Sequence, residues 1–206
     1  MVKDAYRFAA PPVAAGLVFF LLHWEWIAAI LILLGLFILY FFRNPERNVP
    51  DDPAAVVSPA DGHVVEIVDE EMDGKPGRRV SVFLSVFDVH VNRSPVAGRI
   101  TRLEYKPGRF YAAMRSQASA ENEMNVFEIE TPMGTMAFKQ IAGVIARRVI
   151  AWKSAGDAVQ RGERVGMIRF GSRVDVWLPG NCQILVRRGQ KVAGGSTILA
   201  KWNSTK

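Results

Sequence analysis

The residues best suited to chemistry are Gly194-Gly195-Ser196-Thr197, close to the C-terminus. A Gly-Gly pair before a serine is most often a turn into a strand. It also permits a reaction of the chain with itself. Glycine lets the preceding peptide adopt conformations closed to other residues. The Ser196 hydroxyl can then attack the Gly195 carbonyl and shift the acyl group from nitrogen to oxygen. Elimination from that ester leaves dehydroalanine, which hydrolyses to a pyruvoyl group and ammonia. The chain is cut, and its new terminus is an electrophilic ketone able to act as an electron sink.

Activating a serine hydroxyl calls for a base near neutral pH, and a histidine oriented by a carboxylate is a common solution. The candidates are Asp61, in Ser58-Pro59-Ala60-Asp61-Gly62, and His90, in Asp88-Val89-His90-Val91-Asn92-Arg93. Both have plainer readings: an Asx-turn at an Asp-Gly pair, and a satisfied core histidine. His63, beside the same turn, reads as structural or solvent-facing. A Ser-His-Asp hydrolase built on the same residues lacks the GxSxG elbow, since Thr197-Ile198-Leu199 follows Ser196. The single cysteine, Cys182, excludes an intrachain disulfide and a Cys-rich zinc site, and the three histidines form no HxxxH pair, so no metal is expected.

Two kinds of element must position these residues. Between Phe8 and Phe42 only His23 and Glu25 interrupt the apolar run. A single helix of that length would reach about 52 Å, too long for a hydrocarbon core of roughly 30 Å. The run therefore reads as two helices, 8–22 and 26–42, with a bend at His23-Trp24-Glu25 and a start weakened by Pro11-Pro12. Trp24 and Trp26 suit a membrane interface, and Lys3, Arg7, Arg43 and Arg47 lie together at the open end, as expected of a cytoplasmic face. The hairpin either spans the bilayer or dips into it. A cleaved signal peptide and a buried soluble hairpin are poorer fits.

After a polar linker at Asn48–Pro53, short Val/Ile/Phe runs punctuated by turn residues predict strands. They are 63–68, 79–84, 98–105, 125–130, 135–140, 164–170, 174–178, 183–186 and 196–201. Helix is suggested only at 109–120 and 144–155. Three glycine turns beside strands, at 58–64, 159–166 and 188–195, resemble those of biotinyl- and lipoyl-carrier domains, without the Met-Lys-Met setting of the modified lysine. The expected fold is mainly β, a biotinyl/lipoyl-like β-sandwich or barrel over residues 48–206, with a membrane-associated helical hairpin over 1–47.

The net charge of +6 is dispersed and lacks a basic-aromatic platform, which argues against nucleic acid. A basic chain with an apolar hairpin fits an anionic membrane surface instead. Arg147-Arg148 and Arg187-Arg188 are candidate phosphate contacts, each equally readable as a solvated pair.

In order and spacing, these motifs resemble the short-type phosphatidylserine decarboxylases. The resemblance runs from the hairpin ending in FFRNPER through Ser58–Gly62, Leu84–Pro95, Ala118–Glu123, Gln140–Arg148 and Gly166–Ser172 to Gly194–Thr197. It implies self-cleavage between Gly195 and Ser196 into a larger β chain, 1–195, and a small α chain, 196–206. Ser196 would become the pyruvoyl group that forms a Schiff base with the substrate amine. Asp61 and His90 would belong to the self-cleavage machinery. Longer members carry two histidines three residues apart, and here the second position is Arg93, which leaves His90 open between self-processing, protonation after decarboxylation, or both. The implied reaction converts phosphatidylserine to phosphatidylethanolamine and carbon dioxide at the cytoplasmic face of the cell membrane. An archaetidylserine substrate, a homodimer, and a non-enzymatic membrane-anchored adaptor stay open.

Overall fold

The computed structural model describes residues 2, 4–115, 117–144, 148–169 and 172–203. It divides into two compact units, Met1–Glu46 and Arg47–Lys206.

The first unit is a helical hairpin of α1 (Asp4–Leu21) and α2 (Glu25–Phe41). The turn is closed by His23 in the left-handed region at φ 60°. α1 starts earlier than its apolar run, at Asp4, whose carboxylate suits a helix N-terminus. Pro11 and Pro12 thus lie inside the helix and not at its start. Small residues bring the helices together: Gly16 faces Ile32 and the Ala28 carbonyl, and Gly35 faces Val13 and the Ala9 carbonyl. Small residues at the contact are the usual means of joining helices whose outer faces are apolar. Leu21, Trp26, Ile30 and Leu33 point outward and are exposed. With 18 and 17 residues, the helices reach about 27 and 26 Å. Neither is long and apolar enough to cross a membrane.

The second unit is mainly β. Its strands are β1 (Ala55–Val57), β2 (Gly62–Met72), β3 (Lys75–Leu84), β4 (Val91–Arg93), β5 (Gly98–Lys106), β6 (Met124–Thr131) and β7 (Gly134–Ile141). They continue with β8 (Arg148–Ala151), β9 (Ala158–Val159), β10 (Arg164–Arg169), β11 (Ser172–Pro179), β12 (Cys182–Ile184), β13 (Lys191–Val192) and β14 (Ile198–Trp202). An eight-stranded antiparallel sheet, ordered β13-β2-β3-β11-β7-β6-β5-β9, curls into a half-barrel. Two three-stranded sheets, β1-β14-β12 and β4-β10-β8, complete the fold.

Alternation along the strands sorts the faces. Val80, Val82 and Leu84 of β3 and Val174 and Val176 of β11 enter one core with Ile100, Phe127, Ile129 and Phe138. Phe127 and Phe138 are register partners and stack at 4.5 Å. The alternate residues Arg79, Ser81, Arg173 and Asp175 are also buried, and bond to one another on the other face.

Every apolar run read as a strand is one, and the helix-like stretches are not helices. Of 109–120, only its end enters a helix, the single turn α3 (Ala118–Glu121). Asn122 prevents more: its Oδ1 accepts from Tyr111 N–H and its Nδ2 donates to Tyr111 O, pinning the segment as a loop. In 144–155, Arg148–Ala151 forms β8 because it completes the edge of β10.

Candidate active site

The Gly-Gly-Ser turn sits between β13 and β14 and is fixed from several sides. Ala193 O accepts from Ser196 N–H at 3.1 Å and from Thr197 N–H at 3.0 Å. Thr197 Oγ1 accepts from Ala193 N–H at 2.9 Å. Across the turn, Ser58 N–H donates to Thr197 O and Gly195 N–H donates to Ser58 O, both at 2.8 Å. Gly195 is left-handed at φ 77°, where glycine is favoured. A Cβ on Gly194 would come within 3.2 Å of the Ala60 backbone.

Ser58–Gly62 is the opposing wall. The buried Ser58 hydroxyl donates to Ala60 O at 2.6 Å, folding the loop on itself. Gly62 then passes so close to β3 that a Cβ would lie 2.0 Å from Phe83 O. This close approach aims Asp61 at the turn. Asp61 Oδ1 accepts the N–H of Gly194 at 2.8 Å. Arg47 Nη2 lies 2.8 Å from both Asp61 oxygens.

Arg93 joins the walls. Its N–H donates to Pro59 O, and its Nη1 donates to Gly162 O at 2.9 Å. Its Cδ lies 2.8 Å from where a Gly195 Cβ would be. The three glycine turns of the sequence therefore meet around this one side chain. Burial holds the Arg93 guanidinium below its ordinary value, Arg164 and Arg47 push it further down by like charge, and Asp61 opposes them.

His90 is fully buried just ahead of β4. Its Nδ1 is 3.0 Å from Asp88 O, and its own carbonyl accepts from Ile168 N–H. A carbonyl only accepts, so Nδ1 carries the proton, and the neutral ring has its lone pair on Nε2. The structure thus brings Asp61 onto Gly194 directly, while Arg93, three residues beyond His90, packs on Gly195. His63 is exposed on β2.

The remaining motif residues build the frame. Asn92 Oδ1 accepts from Gln140 Nε2 at 2.8 Å, and Gln140 Oε1 accepts from Asn125 Nδ2 at 2.9 Å, tying β4 to β7 and β6. Asn122 Nδ2 also donates to Ala142 O. Cys182, half-buried on β12, has its thiol pushed up to about 11 by burial and takes no part. Among the described residues no group of three His, Cys, Asp or Glu side chains is placed to hold a metal ion. Of the arginine pairs, Arg147 lies outside the described residues, while Arg148, Arg187 and Arg188 are exposed.

Sequence reading missed Arg47 and the position of Arg93. Arg47 reads as the last positive flank of the hairpin, and its contact with Asp61 crosses a linker whose path no spacing encodes.

A β-rich unit that closes a carboxylate and two arginines around a Gly-Gly-Ser turn is a frame for chemistry on its own backbone. A family model described as phosphatidylserine decarboxylase matches residues 34–200. The phosphatidylserine decarboxylase proenzyme of Symbiobacterium thermophilum is 42% identical over 205 residues, covering 98% of this chain and 95% of the relative. That of Solibacter usitatus is 51% identical over 171 residues, 83% of this chain and 81% of the relative. That of Erythrobacter litoralis is 47% identical over 204 residues, 91% and 82%. The chain belongs to the phosphatidylserine decarboxylase family, as its motifs indicate.

Proposed function

We propose that this chain removes the serine carboxylate of phosphatidylserine, giving phosphatidylethanolamine and carbon dioxide, after converting its own Ser196 into a pyruvoyl group. The observation carrying this reading is the grip of Asp61 on the Gly194 N–H beside a left-handed Gly195. The residues present fit the group: Gly194 and Gly195 admit the backbone approach that a side chain would block. The pyruvoyl ketone supplies the electron sink for decarboxylation. Ser196 provides the nucleophile for self-cleavage and then the group itself. Asp61 holds the turn in register. His90, with its proton kept on Nδ1 by Asp88 O, offers Nε2 as the base.

The hairpin, with apolar outer faces and tryptophans at its tip, lodges in the bilayer as a shallow insert. That keeps the second unit at the cytoplasmic face of the cell membrane, where a substrate with two acyl chains presents its headgroup. The curled sheet and its glycine turns belong to the biotinyl/lipoyl-like class of β folds. The larger β chain and the small α chain, bound through the β14 pairings with β1 and β12, stay together after the cut.

Intact-mass measurement of the denatured protein tests this reading. Two species should appear, split between Gly195 and Ser196, with the smaller lighter by one ammonia than hydrolysis alone gives. Ser196→Ala should stay uncut and release no carbon dioxide from phosphatidylserine vesicles. A processed and active Ser196→Ala protein would refute it.

A further inference from the structure

Arg93 lies against Gly195 from the side opposite Asp61's contact partner in the sequence, with its Cδ 2.8 Å from an ideal Gly195 Cβ. Arg47 Cβ is 3.6 Å from the same point. Arg164, exposed on β10, is the register partner of Arg93 on β4. Like charges crowd one glycine, and Arg164 and Arg47 both act on Arg93 strongly enough to disfavour its charged form. An arginine does not give up its proton in a protein, so it is a poor general base. Its chemistry here is electrostatic, and a cationic cluster beside a peptide bond suits an anion that forms there.

Self-cleavage creates such an anion. Ser196 Oγ bonds to the Gly195 carbonyl carbon, the C–N bond breaks, and the nitrogen of residue 196 takes up a proton as a free amine. The resulting ester then loses the Cα proton of residue 196. A double bond forms between Cα and Cβ, the Cβ–Oγ bond breaks, and the electron pair leaves with oxygen as the Gly195 carboxylate. Tautomerisation and addition of water release ammonia from the other fragment.

We propose that Arg93, with Arg164 at its rim, is the receptor for the departing Gly195 carboxylate: it stabilises that leaving group and afterwards anchors the new C-terminus of the β chain. This rests on the self-cleavage reading and adds a role for residues outside its nucleophile and base. A preorganised cation aimed at developing charge is worth on the order of 100-fold in rate.

The test follows the ester. Folded wild type, Arg93→Met and Arg164→Gln are treated with hydroxylamine, which attacks an ester carbonyl and leaves a Gly195 hydroxamate readable by mass. Wild type should cut without accumulating ester. Arg93→Met should reach the ester and stall, giving the hydroxamate and a final cut slowed at least tenfold. Arg164→Gln, on an exposed position that leaves folding intact, should slow the same step several-fold and stands in if Arg93→Met fails to fold. Either variant cutting at the wild-type rate overturns the proposal. So does a folded variant that stays uncut and resists hydroxylamine, which would place the cations in the acyl shift. A variant that cuts normally and only binds phosphatidylserine vesicles more weakly overturns it in favour of the lipid's own anion. If wild type itself is never cut, the self-cleavage reading falls first, and this proposal with it.

Discussion

Arg47 Nη2 touches both carboxylate oxygens of Asp61 at 2.8 Å, and through Asp61 it holds the Gly194 N–H. The pair is mostly shielded, with side-chain exposures of 14% and 16%. Removing one member of such a pair leaves the other desolvated and uncompensated. The last residue of FFRNPER is therefore a positioning residue for the turn.

Arg47→Ala should slow self-cleavage by roughly tenfold to 100-fold while the protein stays folded, the cost of about 1–3 kcal/mol in alignment. Arg47→Lys should recover part of the rate, since a point charge replaces the guanidinium poorly. Ethylguanidine added to Arg47→Ala should restore cutting in a saturable way. A time course by intact mass reads all three. Arg161→Ala is the control, because Arg161 clamps Pro50 O and Ala55 O away from the turn. Equal slowing in the control, with no chemical rescue, would reduce Arg47 to a structural part.

Two glycines in the same wall should fail differently. An Ala at Gly62 would put its Cβ 2.0 Å from Phe83 O, in backbone that cannot move without parting β2 from β3. Gly62→Ala should therefore cost more than about 3 kcal/mol and give little folded protein. At Gly195 the obstruction is Arg93 Cδ, part of a flexible side chain, and the left-handed φ of 77° adds about 1–2 kcal/mol. Gly195→Ala should fold and be cut slowly. Urea unfolding separates the pair, and a fully stable Gly62→Ala protein would contradict the register seen here.

The strands were legible because half-buried sheets write an alternating pattern into the chain, as at Val80, Val82 and Leu84. Short pairings were not. β4, β9 and β13 have three, two and two residues, too few for a pattern, and exist because neighbouring edges need partners. The site divides along the same line. Ser196 and Asp61 stand in glycine turns whose composition signals special backbone. Arg47 and Arg93 signal nothing locally, and gain their roles only from a linker and a two-edge sheet folding around Gly195. The helix suggested at 109–120 failed because Asn122 competes for the backbone of Tyr111, a side-chain effect that periodicity does not carry.

The hairpin contact is open to a compensation test. A Cβ on Gly35 would lie 2.3 Å from Val13 Cγ2, and β-branched Val13 has few rotamers to escape with. Gly35→Ala should lower the melting temperature of the helical circular-dichroism signal in detergent, by an overpacking cost of about 1–3 kcal/mol. Val13→Ala removes the obstructing methyl. The double variant should recover most of that loss, giving a coupling of about 1 kcal/mol or more. Strict additivity would mean that these two helices do not pack through Gly35.

Acid should weaken the second unit through Glu66. Its carboxylate accepts from Arg79 Nη1 at 2.7 Å and Arg173 Nη2 at 2.6 Å, and Arg173 with Asp175 is almost wholly buried. Burial works to raise the Glu66 pKa, but the hydrogen bonds and charges of Arg79 and Arg173 outweigh it and hold the group below its ordinary value of 4.5. A depressed carboxylate stabilises the fold fully above that ordinary value, and the contribution fades as pH falls through the lowered folded value. Urea midpoints should therefore be flat from about pH 7 to 5 and fall below about pH 4.5. Glu66→Gln keeps the shape and loses the charge. It should be less stable at pH 7 by about 1–3 kcal/mol, and its midpoint should fall less steeply below pH 4.5. Parallel acid limbs in the two proteins would mean that the two arginines draw their compensation from Asp175 and Glu70, and that Glu66 is a bystander at the edge of the network.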